Sequence, residues 1–180
     1  MNKVLELAKE NMTAEGFEIL ADIDQSLPDI WDKPTSSSGK YHLKDNGKPD
    51  TIEDHTFEML KAAMAVMRLW DIEPCTVSAD VQIMAITLHD RLKYGPEGTS
   101  EHTVSDHDKL IAEWVLENAT ILRYYLPLMH YSSLIEALRL HSGRWSTDIT
   151  TSDWAEAGRL TFFVHVLDML STENQLKGGE

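Results

Sequence analysis

Apolar residues recur at three- and four-residue spacing through most of the long segments of the chain, and no stretch alternates apolar and polar positions as a half-buried strand would. The pattern predicts an all-α fold. Val4, Leu5, Leu7 and Ala8 open a first helix, and the stretch from about Ser26 to Pro49, rich in Pro, Ser, Gly and Asp, reads as a loop. A second helix is expected from Asp50 or Thr51 to about Trp70, burying Ile52, Met59, Leu60, Ala63, Met64 and Met67; methionines at this spacing are core filling. A third, capped near Thr76, turns Val77, Val81, Met84, Ala85 and Leu88 inward and ends at the dipeptide His89-Asp90, ahead of the Gly- and Pro-containing RLKYGPEGTSE. A fourth from about Ser105 uses Leu110, Ile111, Trp114 and Val115 as its apolar positions, and a pair around Pro127 runs through Leu134, Ile135 and Leu138 to His141. The last long helix, from near Ser152, carries Leu160, Phe163, Val164 and Leu167 on one stripe, and Asp168 lies on the same stripe. No internal repeat is present.

A chain of 180 residues with 42% hydrophobic content can bury one good core, so a single domain over residues 1–180 is expected. No run of about 18 apolar residues offers a membrane span, and charged residues at the amino terminus stand where a signal peptide would be apolar, which points to the cytoplasm. Cys75, the lone cysteine, has no partner for an internal disulfide and is assigned a structural role. Thirty acidic against sixteen basic residues give a net charge of −14. That balance opposes binding to long nucleic acid or anionic membrane, but a small anionic substrate can still dock where bound cations dominate the local field.

The chemistry lies in a set of His and Asp residues at helix positions that otherwise face the core: His55, His89, Asp90, His107, His141 and Asp168. Singly, each is unremarkable, since a buried His usually bonds to backbone and a buried Asp can cap a helix. Together they would be costly to desolvate without compensation, and a divalent cation supplies it.

In order and interval these residues resemble the HD-domain phosphohydrolase superfamily, whose signature is a His on one helix, a His-Asp pair ending a later helix and an Asp near the carboxyl end. His55 in EDHTFEML, His89-Asp90 in TLHD and Asp168 in HVLDML match, and the likeness covers about residues 36–170. More narrowly, SSSGKYH (36–42), HDRLKYG (89–95), TVSDHDKLIA (103–112), HSGRW (141–145) and HVLD (165–168) are similar to the landmarks of a branch of small HD proteins. The chain departs from that branch at Asp108, where a proline usually follows the His, and in the acidic TIED before His55.

The resemblance implies a single helical bundle of the HD type holding one or two divalent transition-metal ions, Mn, Fe, Co, Ni or Zn. The ligands would be His55, His89, Asp90 and Asp168, with His107 and His141 completing a second site and Asp90 bridging. His107 ranks above nearby His102, and His165 is read as a partner that buttresses Asp168 rather than as a ligand. The implied reaction is metal-assisted hydrolysis of a phosphoester, with Asp90 and Lys93 in catalytic roles. Lys93 follows His89 by four residues, so a continuing helix would bring its ammonium to the same side to hold a phosphate oxygen. Ser38, Lys40 and Arg144 join Lys93 as candidate substrate contacts, although the spacing of SSSGKYH is not that of a nucleotide-triphosphate loop. The expected substrate is a small phosphorylated compound, foremost a nucleotide. Three alternatives stay open: a di-iron oxygenase of HD type, a 3′-end ribonuclease, and a metal-binding protein without catalysis. Homo-oligomerisation also stays open.

Overall fold

The computed structural model describes residues 2–36, 49–143 and 156–176. Within these the chain forms eight helices and no strand: α1 (Lys3–Asn11), α2 (Ala14–Ser26), α3 (Ile52–Leu69), α4 (Val77–Leu88), α5 (His107–Asn118), α6 (Leu122–Tyr125), α7 (Leu128–Leu140) and α8 (Arg159–Leu176).

Side-chain caps set most of the helix starts. Asn2 accepts from Leu5 N, Thr13 from Gly16 N and Thr76 from Ala79 N, each satisfying a backbone donor that the helix itself leaves open. Thr51 and Asp54 form a reciprocal capping box, so α3 begins beside the Asp50–Thr51 boundary expected from the sequence. The amino-terminal helix divides in two because Met12 is extended and the Thr13 side chain restarts the helix, a break that the apolar spacing does not reveal.

The last helix also differs from expectation. Ser152 lies outside the described residues, but residues 156–158 are not helical and α8 starts only at Arg159. Its cap comes from another helix: Glu136 of α7 accepts from Gly158 N at 3.1 Å and from Thr161 Oγ1 at 3.2 Å.

α4 is the centre of the bundle. It packs against α1, α2, α3, α7 and α8. Every residue from Ala79 to Leu88 is buried, so beyond its first two residues this helix has no solvent face. Each fully buried Ile, Leu or Met contributes roughly 1.5–3 kcal/mol of apolar transfer free energy. Two polar residues inside this shell need partners. The Asp80 carboxylate accepts from Thr13 N (2.9 Å), Thr13 Oγ1 (2.7 Å) and the Tyr125 hydroxyl, tying α4 to the start of α2 and to α6. Arg91, just past α4, donates from Nε to Asp24 Oδ1 at 2.9 Å and stacks its guanidinium over Trp31, 4.4 Å from the ring centre.

Residues 33–36 and 49–52 run side by side, held by Thr35 N to Asp50 O (3.0 Å) and Ile52 N to Lys33 O (2.9 Å), with an isolated antiparallel bridge between Pro34 and Thr51. Cys75 is exposed, in a turn at φ 57°, where its N–H donates to Asn11 O. Among the described residues no helix is long and apolar enough to cross a membrane.

Candidate metal centre

Helix ends deliver most of the chemistry. His89 caps the carboxyl end of α4, His141 caps that of α7, and His107 is the first residue of α5. The last carbonyls of a helix lack intrahelical donors, and two of these rings use that vacancy: His89 Nδ1 donates to Ile86 O at 2.7 Å and His141 Nδ1 to Leu138 O at 2.9 Å. His107 Nδ1 does the same to Val104 O, at 3.0 Å, in the preceding loop. A carbonyl only accepts, so each neutral ring carries its proton on Nδ1 and turns an Nε2 lone pair towards the centre.

Two groups result. His55, His89 and Asp168 bring one ligand atom each within 4.8 Å of one another, and so do Asp90, His107 and His141. In the first, His55 Nε2 stands 3.1 Å from Asp168 Oδ1. In the second, the Nε2 atoms of His107 and His141 are 3.3 Å apart and lie 3.1 and 3.8 Å from Asp90 Oδ1. Asp90 stands between the groups, because its other oxygen, Oδ2, is 3.5 Å from His89 Nε2 and 2.5 Å from Lys93 Nζ.

This donor set fits a cation. Lone pairs of neutral imidazoles and carboxylates facing each other at these distances repel unless positive charge is shared between them. His89 Nε2 is the clearest case, a fully buried nitrogen with no hydrogen-bond partner. Both groups could hold a metal ion.

The electrostatics agree with ligand roles. Burial drives His89 down to about 4 against the pull of Asp90, keeping it neutral and able to donate its lone pair near pH 7. Burial alone would raise Asp90, but the Lys93 ammonium, His89 and the His107 and His141 rings beside its Oδ1 outweigh it and hold the carboxyl well below the usual range. Asp168 is likewise held below its ordinary value, since His55 and His89 overcome the effect of burial. Burial would lower Lys93 and His141, yet Asp90 and Asp168 more than offset it, and both are raised. The side chains of Asp168, Lys93 and His107 keep 26%, 16% and 13% of their surface open to solvent, whereas His55, His89 and His141 are sealed, so the cluster meets solvent on the side of the first three.

The sequence-named residues therefore divide. His55, His89, Asp90, His107, His141 and Asp168 come together, and Lys93 joins them. Lys93 arrives by a different route from the one expected: α4 stops at Leu88, and the chain continues in tight turns, with Arg91 N bonded to Leu88 O and Lys93 N to Asp90 O. Its ammonium is paired with Asp90 rather than standing free. Ser38, Lys40 and Arg144 lie outside the described residues. His102 is exposed in the loop before α5. His165, read as a partner of Asp168, donates from Nδ1 to His141 O at 2.7 Å and lies against Gly143, where a Cβ would come within 2.8 Å of its ring. Asp108 is buried, with Oδ1 accepting from Lys109 N at 2.8 Å and Oδ2 without a hydrogen-bond partner.

Sequence reasoning missed Ser171, whose Oγ lies 3.0 Å from His55 Nδ1. The signal available was its place one helical turn beyond Asp168 on the same stripe. Comparison of the chain with protein-family models, with curated proteins and with solved structures returns no match.

Proposed function

We propose that this protein is a metal-dependent phosphohydrolase of the HD type, acting on a nucleotide or similarly small phosphoester. The observation that carries the reading is the place of Asp90: one carboxylate set between two His-rich donor groups, Oδ1 towards His107 and His141, Oδ2 towards His89 and Lys93. A shared carboxylate between two triads suits a pair of cations, one held by His55, His89 and Asp168 and the other by Asp90, His107 and His141, and imidazole-rich sets favour Mn, Fe, Co, Ni or Zn over Mg. When bound, such ions lower the pKa of water towards neutrality and polarise a phosphoryl group.

The chain's own residues supply the remainder. The Nδ1–H anchors keep four rings in the orientation that presents Nε2. Asp90 and Asp168 against Lys93 leave the cluster one negative charge when the rings are neutral, so it attracts cations. Lys93, at the solvent-facing side, offers its ammonium to a nonbridging phosphate oxygen and favours phosphate chemistry over oxygen chemistry. The net charge of −14 selects against long polyanions and therefore against a ribonuclease of extended RNA.

The test is metal stoichiometry of gently purified protein, followed by turnover of a bis-aryl phosphodiester with Mn, Co, Ni or Zn added back. Near two metals per chain with diester cleavage supports the proposal. One metal without diester cleavage redirects it to a mononuclear nucleotidase, and two irons with substrate-dependent oxygen uptake to the oxygenase.

A further inference from the structure

We propose that Ser171 is a positioning residue for the metal centre, fixing through its hydroxyl the tautomer and orientation of His55. The inference rests on the metal-centre reading above and concerns how His55, in the first turn of α3, is held. His89, His107 and His141 each anchor Nδ1 on the carbonyl three residues earlier. His55 lies in the first turn of α3, where the carbonyl three residues earlier, Ile52 O, belongs to the helix ladder.

Its anchor comes instead from α8. Ser171 Oγ donates its single proton to Asp168 O at 2.7 Å. The hydroxyl can then only accept from His55 Nδ1, 3.0 Å away. The His55 proton is thereby held on Nδ1, and the Nε2 lone pair is aimed at the side where Asp168 Oδ1 lies 3.1 Å away. One residue thus sets both first-group ligands that do not come from α4: the ring of His55 directly, and Asp168 through its carbonyl. Partners of this kind typically change metal affinity by about 10–100-fold when removed.

Full-length wild type, S171A and S171T, each stripped with chelator, should be titrated with Zn2+ and with Mn2+ by calorimetry, with thermal melts of the metal-free forms alongside. S171A should weaken one of the binding steps by about 10–100-fold, leave the other and leave the metal-free melt near that of wild type, while S171T restores the lost affinity. Unchanged affinity in S171A, or a loss that S171T does not recover, overturns the role of Ser171 while leaving the metal centre in place. A wild type that takes up neither ion overturns the metal-centre reading itself, and this inference with it.

Discussion

The pairing of Lys93 with Asp90 makes the lysine the most informative single residue to change. Its ammonium sits 2.5 Å from Asp90 Oδ2 and is one of the groups that hold that carboxyl well below its usual range. If its work were only to neutralise Asp90, a second cation at the site would replace it and K93M would turn over normally. If it also contacts the phosphoryl group, K93M should keep its metal and lose about 10²–10³-fold in kcat, the usual cost of removing one well-placed electrostatic contact. Metal analysis and steady-state kinetics on the same preparation separate these outcomes. Tyr125 allows a residue-level test away from the candidate metal centre. Burial and its hydrogen bond to Asp80 push the phenol up from 10.0 to about 12. The folded state thus retains a proton that the unfolded chain releases, so the stabilisation is whole below pH about 10 and disappears as pH rises towards about 12. The melting temperature of wild type should fall steeply across that window, and Y125F should show a lower starting value and a shallower fall. Equal slopes would place the phenol outside the Asp80 network.

At the scale of elements, the site is legible in the sequence where helix ends are legible. His89-Asp90 terminates an apolar run and His141 precedes Ser142-Gly143, so both could be read as ligands delivered at helix ends. His55 and Asp168 could be read from the apolar stripes that they interrupt. What periodicity does not encode is contact between elements distant in sequence. Glu136 capping α8, His165 reaching the His141 carbonyl and Ser171 reaching His55 all depend on how helices lie against each other, and a polar residue that faces a neighbouring helix looks in the sequence like one that faces water. The break between α1 and α2 escaped for a related reason, because Thr13 is an ordinary polar residue until its cap and its bonds to Asp80 are seen. The turn after α7 shows how such a contact can be tested. Gly143 has φ 58°, and a Cβ there would meet the His165 ring, 2.8 Å from its Cε1. G143A should therefore destabilise the protein by on the order of 1–3 kcal/mol through strain and displacement of His165. It should also loosen the hold on His141, so that the ion at Asp90, His107 and His141 is lost before the other. A G143A protein with wild-type melting and full metal content would show that this turn is not coupled to the site.

The whole molecule is organised so that its candidate ligands come from five helices: α3 provides His55, the end of α4 His89 and Asp90, the start of α5 His107, the end of α7 His141, and α8 Asp168. α1, α2 and α6 provide none: α2 and α6 are tied to α4 through the Asp80 network and α2 also through Asp24 with Arg91, while α1 packs on α4. Ions bound at such a junction are bound by the native arrangement and not by the open chain, so their binding free energy becomes folding free energy. At free metal about 100 times the dissociation constant, the gain is about 2.7 kcal/mol per site. For a chain of this length each kcal/mol moves the melting temperature by roughly 2–4 °C, so chelation should lower it by about 5–10 °C for each ion removed. Add-back of Zn or Mn should restore it. Hydrogen exchange should locate the loss in α8 and at the start of α5, since those segments bring a ligand each but pack on fewer neighbours than α4, and α1 and α2 should keep their protection. A melting temperature indifferent to both chelator and metal would mean that the apolar packing around α4 alone holds the bundle, and that the His and Asp cluster is tolerated at its centre without the compensating charge on which its burial was argued.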